Sequence, residues 1–160
     1  MAESIEAQII QYLAETRKTV ATAESCSGGL IAHRLTNVPG SSAPFLGGLV
    51  AYSNGVKMAL LSVAEETLSV YGAVSQQTAI AMAEGARAQF GTDFAVAVTG
   101  IAGPGGGTEE KPVGLVHMAV ARAAATEACH YQFDGDRESI KLQTSEAALA
   151  LLWENLHKVC

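Results

Sequence analysis

The run Phe94-Ala95-Val96-Ala97-Val98 is apolar throughout and passes directly into Thr99-Gly100-Ile101-Ala102-Gly103-Pro104-Gly105-Gly106-Gly107, a loop dense in glycine. A strand with no polar face needs cover on both sides, so it belongs mid-sheet with helices above and below. The sequence supplies those helices. Ser4 to about Lys18 is amphipathic, with Ile5, Ile9, Tyr12 and Leu13 at helical spacing. Ser75 to Phe90 sets Ala79, Ala83, Ala86 and Phe90 on one face, between a Ser75 cap and a Gly91 stop. Asp136 caps a long final helix whose inner face carries Ile140, Ala147, Ala148, Leu151, Leu152 and Leu156.

Between these, Thr19–Ala23 reads as a strand and Ser27–Asn37 as a helix. Phe45 to Ser53 reads as a buried strand, and Asn54 caps a short helix running through Lys57 to Leu61. Ala64 to Val70 forms a further helical turn, closed near Gly72. Val113–Arg122 and Thr126–Phe133, joined by a short alanine-rich turn, predict an antiparallel pair. Helix and strand alternate early and a hairpin comes late. That order predicts a single three-layer α/β/α domain over residues 1–160, with a mixed, mostly parallel sheet.

The chain is 49% apolar, enough for a core, with no stretch near the roughly 20 apolar residues of a membrane span. Residues 1–20 lack the basic start and cleavage site of a signal peptide, so the expected location is cytoplasmic. A formal charge of −6 and the absence of basic runs argue against a nucleic-acid partner, whose phosphates need neutralising cations. Cys26, Cys129 and Cys160 have no paired spacing and read as free thiols. With His33, His117, His130 and His157 they form no zinc pattern, so no metal is expected.

In an open α/β sheet, ligands collect beyond the carboxyl ends of the strands. Three such ends are rich in functional groups: Glu24-Ser25, then Tyr52-Ser53-Asn54-Gly55-Val56-Lys57, then Thr99 to Gly107. Ser25 sits on a strand-to-helix turn, where free N–H groups can stabilise an oxyanion and Gly28-Gly29 leave the backbone open. Alternatively, Ser25 and Ser27 only compete to cap the helix. Lys57 falls in the first turn of its helix, where the macrodipole and burial would both push its pKa down toward that of a general base. A solvated surface lysine is the plain alternative. Tyr52 could relay or hold a proton, or be a core residue with its hydroxyl at the rim. Ser25, Lys57 and Tyr52 would then make a nucleophile, a base and an orienting group. Cys26 ranks behind Ser25, because no histidine is evidently placed to activate it. The glycine loop matches neither a Walker A motif nor GxGxxG. It offers an anion-binding nest or a mobile surface loop, and Arg137 a bidentate phosphate contact or an exposed helix start.

The motifs Thr22-Ala23-Glu24-Ser25-Cys26-Ser27-Gly28-Gly29, Tyr52-Ser53-Asn54-x-x-Lys57 and Tyr71-Gly72-Ala73-Val74-Ser75 resemble, in order, the C-terminal domain of the competence/damage-inducible protein CinA. So do Thr99-Gly100-Ile101-Ala102-Gly103-Pro104-x-Gly106-Gly107, Lys111-Pro112-Val113-Gly114 and Gly135-Asp136-Arg137. The resemblance implies hydrolysis of nicotinamide mononucleotide to nicotinate mononucleotide and ammonia, in a three-layer α/β/α fold that commonly forms homo-oligomers. It carries catalytic roles to Ser25, Tyr52 and Lys57. Ser27 stands where the family usually has threonine, which keeps the hydroxyl.

A small nucleotide substrate would lie among Glu24, Ser27, Gly28, Gly29, Thr99, Gly100, Gly103, Gly105, Gly106 and Arg137. Amides near Ser27 and Gly28 would hold the oxyanion, and no metal or redox cofactor is required. Longer family members carry an N-terminal domain resembling molybdopterin-binding proteins, which this sequence does not show. Other readings remain: a nucleotide-binding module without turnover, a competence or DNA-damage interaction protein, or an amidase for another small carboxamide.

Overall fold

The computed structural model describes residues 3–158. Its strands are Val20–Glu24 (β1), Phe45–Val50 (β2), Phe94–Gly100 (β3), Leu115–Ala121 (β4) and Thr126–Gln132 (β5). They form one sheet in the order β2-β1-β3-β4-β5. β1 runs parallel to both β2 and β3, whereas β4 and β5 add on antiparallel. The helices are Ile5–Thr16 (α1), Leu30–Thr36 (α2), Asn54–Leu61 (α3), Glu65–Tyr71 (α4), Gln76–Phe90 (α5) and Arg137–Leu156 (α6). α1, α2 and α6 pack together on one face, while α5 crosses β1, β3, β4 and β5 on the other and carries α3 and α4. This is the expected mixed α/β architecture, with β3 covered on both sides.

Side chains alternate across each strand, so the two faces draw on different residues. Val20, Val96, Val98, Val116, Met118 and Val120 join the core under α1, α2 and α6. Ala23, Ala95, Ala97, Ala119 and Ala121 join the core under α5. Caps bound the helices much as the residues suggest: Ser4, Ser75 and Asp136 each accept a backbone N–H at their helix start. Cys26 and Cys129 are free thiols, and Cys160 lies outside the described residues.

Three expectations need correction. Phe45 to Ser53 is not a fully buried strand, because β2 stops at Val50 and lies at the sheet edge. Leu46 and Val50 there are half exposed, and Gly47 and Gly48 let the edge strand press inward. A Cβ at Gly47 would meet the Phe90 ring at 2.6 Å. The α3 cap is Ser53 rather than Asn54, its hydroxyl accepting from the Val56 N–H. α2 begins at Leu30 rather than Ser27, because the turn before it consumes the intervening residues.

Among the described residues no helix is long and apolar enough to cross a membrane. The parallel register aligns Glu24 with both Val50 and Val98. The segments that follow β1, β2 and β3 therefore emerge together at the carboxyl end of the parallel strands, where such folds hold their ligands.

Candidate active site

Ser25 adds one more rung beyond β1, its N–H donating to the Val98 carbonyl at 3.1 Å. The chain then reverses through Gly28 and Gly29, whose φ values of +63° and +101° suit residues without a Cβ. Neither Ser25 nor Ser27 caps α2. That task falls to Glu24, whose fully buried carboxylate accepts from Ile31 N–H at 2.8 Å and Ala32 N–H at 3.0 Å. Ser27 Oγ donates to the same carboxylate at 2.6 Å. A carboxylate with three donors at a helix start is well satisfied there. The expected contact of Glu24 with a substrate is therefore not what the geometry offers, because its carboxylate is spent on Ser27 and the start of α2.

Lys57, in the first turn of α3, is buried to 1% exposure, beside Ser25 at 8%. Its Nζ donates to Ser25 Oγ at 3.2 Å and to the Tyr52 carbonyl at 3.0 Å. No ion pair among the described residues involves it. Burial therefore pushes its pKa below the usual 10.5, and the neighbouring Cys26 sulfur offsets only part of the lost hydration. An amine so placed can accept the Ser25 proton.

Tyr52 reaches this pair only through its backbone. Its side chain is 58% exposed, and its hydroxyl accepts from Arg137 Nη2 at 3.0 Å. The expected proton relay through the phenol is thus not what the geometry shows. Arg137 also donates Nη1 to the Gly103 carbonyl at 2.6 Å, tying α6 to the glycine loop and to Tyr52. Lys111 Nζ holds the far end of that loop by donating to the Tyr71 carbonyl at 2.6 Å.

The glycine loop is less open than its composition suggests. Thr99 is buried and donates to the Ala73 carbonyl, so its hydroxyl is not offered to a ligand. A Cβ at Gly100 would strike the Leu115 carbonyl at 2.7 Å, and one at Gly103 the Val113 side chain at 2.4 Å. Those glycines permit close packing. Gly105 does look into open space, whereas a Cβ at Gly106 would be in ordinary contact with Ile101 at 3.8 Å. At the Ser25 turn, the Gly28 N–H donates to the Ser25 carbonyl at 3.1 Å and is spent. Among the described residues the Cys26 and Ser27 amides donate to no other residue, so both can meet an acceptor at this turn.

Burial pushes the Cys26 thiol up to about 12, so beside Ser25 it stays a packed, protonated thiol near neutral pH. Among the described residues no group of three or more His, Cys, Asp or Glu stands close enough to hold a metal ion. A groove of about 610 Å³ opens beside the Ser27-Gly28-Gly29 backbone, walled on the far side by α6.

The model of the CinA C-terminal domain matches residues 2–156. The chain belongs to the CinA C-terminal domain family. A CinA-like protein of Geotalea uraniireducens is 52% identical over 154 residues, covering 96% of this chain and 37% of the relative. The chain spans less than two fifths of the length of the first such relatives. Among solved structures, competence/damage inducible protein CihA from Agrobacterium tumefaciens superposes with a TM-score of 0.90 at 46% identity, covering 96% of this chain and 94% of that one. The competence damage-inducible protein A (ComA) from Klebsiella pneumoniae gives 0.92 at 36% identity, over 95% and 94%.

Within this CinA domain the motif residues Ser25 and Lys57 meet, while Tyr52 and Arg137 form a second pair beside them. Sequence reasoning missed Lys141 and Leu142 of the groove, because on α6 they read as ordinary polar and apolar helix positions. The i, i+4 spacing of Arg137 and Lys141 at a helix start was the available signal.

Proposed function

We propose that this CinA domain hydrolyses the carboxamide of nicotinamide mononucleotide through a serine acyl-enzyme. The observation that carries the chemistry is the buried Lys57 amine 3.2 Å from Ser25 Oγ, with no carboxylate to hold it charged. The choice of substrate rests on the family resemblance.

Neutral Lys57 takes the Ser25 proton as Oγ bonds to the carboxamide carbon. The Cys26 and Ser27 amides receive the oxyanion, which needs donors fixed before the charge develops. The tetrahedral adduct collapses, the C–N bond breaks, and Lys57 returns its proton to the leaving ammonia. Water then loses a proton to Lys57 and attacks the ester, releasing the carboxylic acid and restoring the serine hydroxyl. Lys57 donates to the Tyr52 carbonyl throughout, which fixes the amine's position while its other proton moves.

Ammonia release from nicotinamide mononucleotide tests the reading. Ser25→Ala and Lys57→Ala are each expected to lose about 10³-fold or more in kcat while remaining folded. Turnover surviving in Ser25→Ala names a different nucleophile. Saturable binding without ammonia from the wild type replaces the hydrolase with a binding module. The pH profile sharpens the point: kcat/KM should rise with pH through the lowered Lys57 pKa and level off below 10.5, because only the neutral amine accepts the proton.

A further inference from the structure

The chain carries ten lysines and arginines against sixteen acidic residues, and almost every cation that is not fully exposed is engaged. Arg34 pairs with Glu6 and Glu146, and Arg122 and Arg87 hold Asn155 and the Asp93 carbonyl. Lys57, Lys111 and Arg137 have the partners described above, and Lys158 pairs with Glu127. Among the described residues the Arg17 and Lys18 side chains have no partner, but both are exposed. Lys141 is the exception. It is half-buried, and it makes no hydrogen bond or ion pair among the described residues.

Its position explains what such a cation is for. Lys141 lies in the wall of the groove beside the Ser25 turn, with Arg137 one helical turn earlier and His33 facing from α2. A Cβ on Gly28 would stand 3.3 Å from Lys141 Nζ, so the ammonium rests against the backbone three residues from the nucleophile. Arg137 is the first residue of α6, where the helix dipole disfavours positive charge, so helix stability does not place it there. Leu30 and Leu142 supply apolar surface in the same groove, and Glu138 is its one acidic member. Arg137 has already committed two nitrogens to Gly103 and Tyr52, which leaves Lys141 as the cation of the groove with no partner among the described residues.

We propose that Lys141 is the residue that selects a phosphorylated substrate, its ammonium binding the phosphate of the mononucleotide in the α2–α6 groove while the carboxamide lies at Ser25. This rests on the hydrolase reading above and adds to it the residue that separates a nucleotide from its nucleoside. It also moves the phosphate from the glycine loop, whose Gly100 and Gly103 are packed against neighbours, to the other side of the Ser25 turn.

The test compares ammonia release from nicotinamide mononucleotide and from nicotinamide riboside, which lacks only the phosphate. The kcat/KM ratio of nucleotide to riboside is expected to fall about 10- to 100-fold in Lys141→Ala, mostly through KM for the nucleotide, as befits loss of one charge-assisted contact. Lys141→Arg should restore much of the ratio, and Arg17→Ala, far from the groove, should leave it unchanged. A ratio unchanged in Lys141→Ala overturns the assignment. Calorimetry with ribose 5-phosphate separates failure of this proposal from failure of the hydrolase reading, since it needs no turnover. Binding that is weakened in Lys141→Ala and kept in Arg17→Ala supports the anion site even if no ammonia is released. Equal binding by all three proteins overturns it.

Discussion

The two faces of the central sheet bury similar backbone under different side chains. Toward α1, α2 and α6 the strands present valines and Met118, and those helices answer with Ile9, Ile31, Leu35, Ile140 and Leu152. Toward α5 the strands present alanines, and α5 answers with Ala79, Met82, Ala83 and Ala86. Small side chains on both sides of a contact let backbones approach, and the α3–α5 contact extends this: a Cβ on Gly85 would stand 1.9 Å from the Leu61 carbonyl oxygen. The Ser25–Lys57 pair belongs to the alanine side. Ser25 follows Glu24 at the end of β1 and meets Lys57 on α3, which is positioned by α5. The large-residue face supplies bulk hydrophobic stabilisation, and the small-residue face sets the distance across which a lysine reaches a serine.

Met118 and Ala119 are neighbours in β4 with side chains on opposite faces, which makes them a direct way to break this contrast. Met118→Ala should cost about 3 kcal/mol by leaving a cavity, yet spare kcat in the protein that remains folded. Ala119→Met should cost about 2 kcal/mol by overpacking, and it should lower kcat as well, because α5 and α3 must move off the sheet. Urea melts with kinetics on each variant check both statements, and equal kinetic effects would dissolve the distinction.

Gly85→Ala sharpens it at smaller scale. Alanine improves helix propensity by about 1 kcal/mol, but the clash with Leu61 must be relieved by backbone movement, so a net loss of about 1 kcal/mol with reduced kcat is expected.

Lys57→Met carries an effect on stability of similar size and the opposite sign. It removes a buried amine whose charged form is disfavoured, so the protein should gain about 1 kcal/mol near neutral pH while losing turnover. The wild-type pKa is depressed on folding, so between that lowered value and 10.5 the unfolded chain binds more protons than the folded one. Wild-type stability from this residue therefore rises with pH across that window, and Lys57→Met should flatten the slope. Denaturant melts at several pH values read it directly.

Much of the active edge was visible in the residues. The strand-turn-helix around Ser25, the apolar β3 ending in glycines, and Lys57 in a first helical turn all carry local signatures that survive into the structure. Tyr52 shows where this stops. A strand-end tyrosine can send its hydroxyl either way, and here the neighbour that decides is Arg137, 85 positions later in the chain. Glu24 shows the same limit, since its capping of Ile31 and Ala32 depends on how tightly the Gly28-Gly29 turn folds back.

What the sequence determined by itself was the alternation of elements, the central place of β3 and most helix caps, because these follow from side-chain periodicity and hydrogen bonding within a few residues. Tertiary structure alone decided that β2 is an edge, that the Lys57 amine is buried against Ser25, and that Lys141 stands in a groove with no partner among the described residues. Each of those depends on which distant segment arrives beside a residue and displaces its water, and no local pattern encodes that arrival.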